Sequence, residues 1–456
     1  MKVERHFIEF VPEEERHGSV RSLFPMWFAA NMSLFTVVTG GLGVEAGLNL
    51  FWSAVAILIG NLVGGIFMAL HSVQGPRLGI PQMIQSRAQF GVIGAVLPLL
   101  LVIIMYVGYG ATNTVIAAQA LSSISHISVS WGVIIISAVT FLVAIYGHDL
   151  IHRVQKVLSV IMGLLFIYVT IVAFRFGFPL DNWSPGQFKL TPFLLLLGVC
   201  ATWQLTYAPY IADYSRYLPR NTDSKKAFIY TYGGSVLSTV WLMILGAILT
   251  ETIPRFLDNA SHGVASLGGF TWSMILYSCI IINTMGGNVL NIYGGFMSIT
   301  TVLDTFVKIK STIQSRFVLL LVTSIMVASL GVFGHENFVN NVQNLILILS
   351  YTLFPWTTIN LVDFFSLRHG EYNINALFDY NGMYGKFNWK ALISYLITVV
   401  CEIPFLNTTI YIGPIAKLLN GIDLAWVLAI TIPGILYYYL MRKEIKLVEE
   451  RQSTIL

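Results

Sequence analysis

Charge is what this chain has least of: 11% of its 456 residues are Asp, Glu, Lys or Arg and 56% are hydrophobic, whereas soluble domains carry about 25% charged residues. That deficit excludes a water-soluble fold, which could not hide so much apolar surface. Cysteine is scarce as well. Cys200, Cys279 and Cys401 each sit alone in an apolar stretch, which argues against a thiolate metal cluster or a disulfide frame. A Ser-His-Asp constellation, metal-ligand spacing and a phosphate-cradling loop are also missing, so no cofactor is expected and a membrane enzyme is a weak alternative. The formal charge is only +4 and is dispersed among short loops, which speaks against a nucleic-acid partner. Residues 1–21 mix acids and bases (Glu13, Glu14, Glu15, Arg16) without an apolar run and read as a cytosolic tail rather than a signal peptide.

What is abundant is apolar sequence in stretches of about 20 residues, the length that crosses a 30 Å hydrocarbon layer as a helix. These stretches are continuously apolar, without the alternation of a membrane β-barrel, and lipid offers backbone groups no partners, so each is expected to be an α-helix. Twelve spans are predicted: 24–47, 48–70, 92–121, 129–147, 155–177, 192–212, 228–250, 270–301, 317–334, 338–363, 390–410 and 421–441. With this division, 22 of the 26 Lys and Arg lie on the side shared by the termini and 4 (Arg175, Lys189, Arg255, Lys417) on the other. That bias predicts a multi-pass protein of the cell membrane with both ends cytoplasmic. The expected organisation is a tail over 1–23, a core over 24–363 with spans 1–5 and 6–10 as inverted repeats, two further spans and their preceding loop over 364–441, and a tail over 442–456.

Several spans are poor helices in their middles. The first runs through Ala29-Ala30-Asn31-Met32-Ser33 and later Thr39-Gly40-Gly41-Leu42-Gly43, the sixth through Thr202-Trp203-Gln204-Leu205-Thr206-Tyr207-Ala208-Pro209, and the eighth holds Asn283, Gly286-Gly287-Asn288 and Asn291. Broken helices at matching places in two inverted repeats point to a central solute site, because unwound backbone leaves carbonyls and amides free for ions and polar ligands. Pro209 has no N–H to donate, so the sixth span should break near Leu205. Trp203, Gln204, Tyr207 and Tyr210 crowd that break. Aromatic faces beside amides suit a planar heterocycle, stacked on the ring and hydrogen-bonded at its edge. In the third span Tyr106, Tyr109 and Asn113 share a face, and an amide at mid-membrane depth needs a helix, water or a solute to meet it. Asn288 and Asn291 carry the same argument. For each of these asparagines a bond between helices is an equal reading. Among the few ionisable residues in or near spans, Glu45 is the candidate proton carrier.

Two loop motifs are more specific: Gly75-Pro76-Arg77-Leu78-Gly79-Ile80-Pro81-Gln82-Met83-Ile84-Gln85-Ser86-Arg87 with Phe90-Gly91, and Tyr207-Ala208-Pro209-Tyr210-Ile211-Ala212-Asp213-Tyr214-Ser215-Arg216-Tyr217. Through them the chain resembles the purine-cytosine permease family, the nucleobase:cation symporters of class one, over nearly its whole length. The resemblance implies a leucine-transporter-type fold with a solute between spans 1, 3, 6 and 8, and cation-coupled import of a nucleobase, allantoin, a hydantoin or a related vitamin. It places the ring between Tyr109 and either Trp203 or Gln204, with Asn113 as the amide one turn on. Tyr109 departs from the Trp common in relatives. Where sodium-dependent relatives carry a Ser/Thr pair, this chain has Gly286-Gly287, leaving carbonyls such as those of Ala29, Ser33 and Asn283 as cation ligands. Proton coupling is therefore expected over sodium. The substrate-site candidates are Ser33, Tyr109, Asn113, Trp203, Gln204, Tyr207, Asn288 and Asn291. The rival readings are a facilitative carrier or channel for another small solute and a non-transporting membrane receptor. Membrane lipid is an expected partner, and the sequence does not disclose an oligomeric state.

Overall fold

The computed structural model describes residues 10–146, 148–175, 183–307 and 312–453. Among them the fold is helical, and the one β-feature is an isolated bridge between Asn407 and Ile412. The helices are α1 (Leu23–Ala30), α2 (Leu34–Glu45), α3 (Leu50–Ser72), α4 (Gln74–Leu78), α5 (Gln82–Phe90), α6 (Val96–Ser125), α7 (Val129–Tyr146), α8 (His148–Arg175), α9 (Leu190–Leu205), α10 (Ala208–Ser215), α11 (Ser224–Thr252), α12 (Ala260–Ser266), α13 (Gly269–Asp304), α14 (Ile313–Gly334), α15 (Phe338–Leu361), α16 (Trp389–Glu402), α17 (Pro414–Leu418) and α18 (Ala425–Ser453).

Each of the twelve expected spans contains helix. Among the described residues, eight segments are long and apolar enough to cross a membrane, or nine with the bent pair at α1–α2. One of them, Gln314–Leu367, runs through both α14 and α15, and Val129–Ile145 is a shorter apolar helix. Length and composition thus establish a polytopic helical membrane protein without fixing the number of crossings at twelve.

The helices gather into three groups. The pairs α1, α2 and α9, α10 pack with α3 and α11; α6, α7, α13 and α14 form a second group; α15, α16 and α18 form a third. Glycine permits the closest approaches. A Cβ on Gly40 would lie 2.0 Å from the Met243 carbonyl oxygen and one on Gly246 1.8 Å from that of Val37, so α2 and α11 touch backbone to backbone. Gly60 and Gly64, four apart on α3, meet the backbone of α9 in the same way, at 2.5 Å from Leu197 O and 2.2 Å from Ala201 O. Small residues one turn apart are how helices associate where lipid supplies no hydrophobic drive.

This packing corrects one expectation. The Thr39–Gly43 run is regular helix inside α2, and its glycines make room for neighbouring helices instead of breaking the span, Gly40 and Gly41 for α11 and Gly43 for Leu196 of α9. The eighth span is likewise unbroken, because α13 runs continuously from Gly269 to Asp304. The remaining breaks are those at Asn31–Ser33, where the chain turns by 61°, and at Thr206–Tyr207.

The N-terminal segment, the loops after α3, α10 and α15, and the end of α18 share one end of the molecule. Val11 N donates to Gly79 O at 2.9 Å and Gly18 N to Tyr217 O at 3.1 Å, Arg87 reaches Leu377 O, and Lys390 pairs with Glu444. Of the expected tails, residues 1–9 and 454–456 lie outside the described residues, as do Lys308 and Lys310 of the charge count.

Candidate functional site

The site is built on the two helix breaks. At the first, Ser33 is extended and its hydroxyl accepts from Thr36 N at 3.3 Å, starting α2, while Thr36 Oγ1 donates to Asn31 O at 2.8 Å. At the second, Pro209 sits in the first turn of α10, where its missing N–H costs nothing. There Thr206 Oγ1 donates to Trp203 O at 2.7 Å.

One residue joins the two breaks. Asn31 is fully buried, and its side-chain oxygen accepts from Trp203 Nε1 at 2.9 Å and from the Tyr207 hydroxyl at 2.7 Å. Its Nδ2 donates to Trp27 O at 3.1 Å and to Ser238 Oγ at 3.1 Å, which ties in α11. Polar groups buried in an apolar medium need such complete pairing.

Around this hub three aromatic rings meet. Trp203 and Tyr109 stack with centroids 6.0 Å apart at 27°, and Phe35 sets its edge against both, at 4.9 Å from Trp203 and 5.2 Å from Tyr109. The Tyr109 hydroxyl donates to Thr206 Oγ1 at 3.1 Å, joining the third span to the break of the sixth. Tyr106 and Tyr210 face each other one turn further along, 5.8 Å apart.

The other candidates scatter. Asn113 and Asn291 are half-buried on α6 and α13 and have no hydrogen-bond partner among the described residues. Asn288 is fully buried and donates to Thr114 Oγ1 at 2.7 Å, a bond between α13 and α6 that takes it into the packing of those helices. Gln204 faces away from Trp203. Its amide donates to Asn61 Oδ1 at 2.9 Å and Thr239 Oγ1 at 3.2 Å and accepts from Ser235 Oγ at 2.6 Å, so α3 and α11 consume its hydrogen-bonding capacity. Of the two, it is Trp203 whose ring lies against Tyr109. Glu45 is exposed at the far end of α2, twelve residues and about 18 Å along the helix from the break, and takes no part in the cluster.

Of the cation-ligand candidates, Asn283 is buried and its Nδ2 donates to the Met32 carbonyl at 3.1 Å, leaving Oδ1 unpartnered. The Ala29 carbonyl accepts Met32 N at 3.0 Å. A Cβ on Gly287 would meet nothing within 4 Å. Sequence reasoning missed Asn31 and Phe35 as site residues. The available signal for Asn31 was a lone amide inside the interrupted first span.

A second polar system lies toward the end of the molecule where Val11 meets Gly79. His71 Nε2 is 2.5 Å from Thr357 Oγ1, its Nδ1 is 3.1 Å from Gln82 Nε2, and its ring stacks on Trp356 at 5.3 Å and 2°. Gln82 continues to Gln74, Gln74 to Asn360, Asn360 to Gln89 and Gln89 to Asp363. Asp363, fully buried in the turn after α15, also accepts from Tyr372 at 2.7 Å, Tyr437 at 2.8 Å and Arg368 at 3.2 Å. The loop motif around Gln82 and Gln89 thus stitches α3 to α15 and α18.

Two broken helices meeting at a buried polar hub, with an aromatic cluster beside them and a continuous helix opposite, define a membrane carrier of the inverted-repeat kind. Residues 10–429 match the family described as permease for cytosine/purines, uracil, thiamine, allantoin, and the chain belongs to that family. It is accordingly a transporter and not an enzyme. It is 50% identical over 446 residues to YxlA of Bacillus subtilis, which bears the name of a purine-cytosine permease, with 98% of this chain and 97% of that one covered. The fold is that of Mhp1. The inward-facing structure of that protein matches with a TM-score of 0.77 at 17% identity, covering 98% of this chain and 95% of Mhp1. Its closed structure, described as a nucleobase-cation-symport-1 family transporter with bromovinylhydantoin bound, matches at 0.76 and 16% identity, covering 97% and 96%. The leucine-transporter-type architecture expected from the resemblance is thereby present.

Proposed function

We propose that this chain is a proton-coupled symporter that imports a purine, cytosine or a closely related flat heterocycle by alternating access, in a cell membrane with both termini cytoplasmic. The observation that carries the reading is the aromatic cluster of Tyr109, Trp203 and Phe35 at the junction of the two helix breaks. A heterocycle held face to face between two rings needs about 7 Å between their planes, twice a carbon contact distance. Tyr109 and Trp203, with centroids 6.0 Å apart, touch each other, so solute binding parts them and exchanges one stacking contact for two. Asn113 and Asn291, half-buried and without a hydrogen-bond partner among the described residues, are the amides suited to the ring edge. The names borne by the family and by YxlA support a purine or cytosine as the ring.

Proton coupling is favoured by the junction of the first span with α13. Gly286 and Gly287 offer no hydroxyl, and the Met32 carbonyl accepts an N–H from Asn283. A side-chain donor thus bonds a carbonyl of the broken first span, on the side where a bound sodium ion would seek oxygens. The orientation rests on the 22-to-4 division of Lys and Arg.

The test is uptake into proteoliposomes, preceded by a thermal-shift screen with cytosine, uracil, adenine, guanine, hypoxanthine, allantoin, hydantoin and thiamine. The reading expects stabilisation by one of the nucleobases, and uptake driven by an inward proton gradient and unchanged when choline replaces sodium at fixed pH. Uptake that vanishes in choline overturns proton coupling. Counterflow without any gradient dependence would make the protein a facilitative carrier.

A further inference from the structure

A groove of about 580 Å³ opens between the last turn of α3, the first turns of α11 and the turn that follows α15. Its walls are apolar: Leu70, Phe228, Ile229 and Phe365 line it, and Ile229 and Phe365 are 61% and 37% exposed, as side chains turned toward lipid tails are. Its mouth is cationic, formed by Arg77 and Lys225 with His369 beside them.

Arg77 is held in position. Its guanidinium lies over the Phe364 ring at 5.9 Å and donates through Nη1 to His369 O at 3.4 Å. His369 and Gly370 both take left-handed backbone, at φ +50° and +81°, and a Cβ on Gly370 would lie 2.9 Å from Arg77 Nη1. Neither Arg77 nor Lys225 pairs with a carboxylate among the described residues. The nearby Asp223 is occupied as the N-cap of α11, accepting from Lys225 N and Lys226 N.

An apolar trough with two uncompensated cations at its mouth fits an amphiphile with an anionic head. We propose that the groove binds one anionic phospholipid, its phosphate at Arg77 and Lys225 and an acyl chain along Leu70, Phe228 and Ile229. Charge decides between lipid classes, because the ammonium of phosphatidylcholine cancels the phosphate that the two cations would hold, whereas phosphatidylglycerol keeps its net charge. A soluble phosphate would leave the apolar walls unused. Basic pockets between spans on the positively charged side are where headgroup sites form. Such a lipid joins the start of α11 to the turn after α15, two elements from different helix groups, so its occupancy bears on how those groups move apart.

The experiment is native mass spectrometry of the detergent-purified full chain with equimolar dioleoyl phosphatidylglycerol and phosphatidylcholine, alongside thermal unfolding with each lipid and with glycerol phosphate. Two cations at the headgroup predict a preference of about tenfold or more for phosphatidylglycerol. The Arg77→Gln/Lys225→Gln double variant should lose most of that preference, and Lys225→Gln alone, at an exposed position, should lose part of it. Equal retention of both lipids by the unaltered protein overturns the proposal whatever the variants do. An unchanged preference in the double variant also overturns it, and stabilisation by glycerol phosphate matching that by the lipid would make this a soluble-anion site instead.

Discussion

The indole N–H of Trp203 donates to the side-chain oxygen of Asn31 at 2.9 Å, so the aromatic wall of the sixth span is aimed by an amide in the break of the first. The two residues are 172 positions apart in the chain and belong to opposite repeats. The ring that would stack on a solute is therefore set by the same contact that fixes one break relative to the other.

Replacing Asn31 by Ala leaves the Trp203 N–H and the Tyr207 hydroxyl without their acceptor in a buried place. Each orphaned donor costs about 1–3 kcal/mol, enough to lower the unfolding midpoint and to reduce uptake by more than about tenfold. Trp203→Phe, which removes one donor and keeps a ring, should retain more stability than Asn31→Ala. Parallel thermal unfolding and initial uptake rates check the order, and an unaffected Asn31→Ala variant would show that the hub is not needed.

Tyr109 combines a ring face with a hydroxyl, and the two parts are separable. Tyr109→Phe loses only the 3.1 Å bond to Thr206 and should change KM by a small factor, about 1 kcal/mol or less. Tyr109→Ala removes the stacking face as well and should abolish measurable uptake while the protein still reaches the membrane. Similar, mild effects of both substitutions would take Tyr109 out of the solute site.

Asp363 is surrounded by four donors: Gln89, Tyr372, Tyr437 and the Arg368 guanidinium at 3.2 Å. Asp363→Asn strands the Arg368 charge beside an amide, and breaking a buried pair in this way costs about 3–5 kcal/mol. Low yield of monodisperse protein and a much reduced unfolding midpoint are expected. Asp363→Asn combined with Arg368→Gln should recover part of that loss, which a fluorescence size-exclusion assay of the single and double variants reads directly.

Gly246 tests the backbone contact between α2 and α11. Any side chain there starts 1.8 Å from Val37 O, so Gly246→Leu should prevent the two helices from closing and give protein that aggregates on extraction. Gly163, on α8, where a Cβ meets nothing within 4 Å, is the matched control: Gly163→Leu should leave yield and unfolding midpoint nearly unchanged.

The class of protein was legible in composition because the physics behind it is local. A bilayer leaves no partner for exposed backbone, so runs of apolar residues can be read as helices one at a time, and the imbalance of Lys and Arg can be counted without knowing which helix touches which. The sixth-span break was legible for the same reason, since Pro209 has no N–H in any context. The family was carried by two short loop motifs, and Gln82 of the first both joins the network between distant spans and donates its backbone N–H to Asp213 of the second at 2.7 Å.

What only the tertiary structure decided is which polar residues face one another. Gln204 and Trp203 are neighbours in sequence, yet one helical step turns the amide toward Asn61 and Thr239 and the indole toward Asn31. Asn288 and Asn291 share a helix face, but only Asn288 has Thr114 opposite it. Gly40-Gly41 and Gly286-Gly287 look alike in the sequence, yet α11 lies against Gly40 and Gly41 while a Cβ on Gly287 would meet nothing within 4 Å. A helix presents every side chain at a fixed angle, and what waits at that angle is set by packing between segments far apart in the chain, 172 residues for Asn31 and Trp203, which no local pattern encodes.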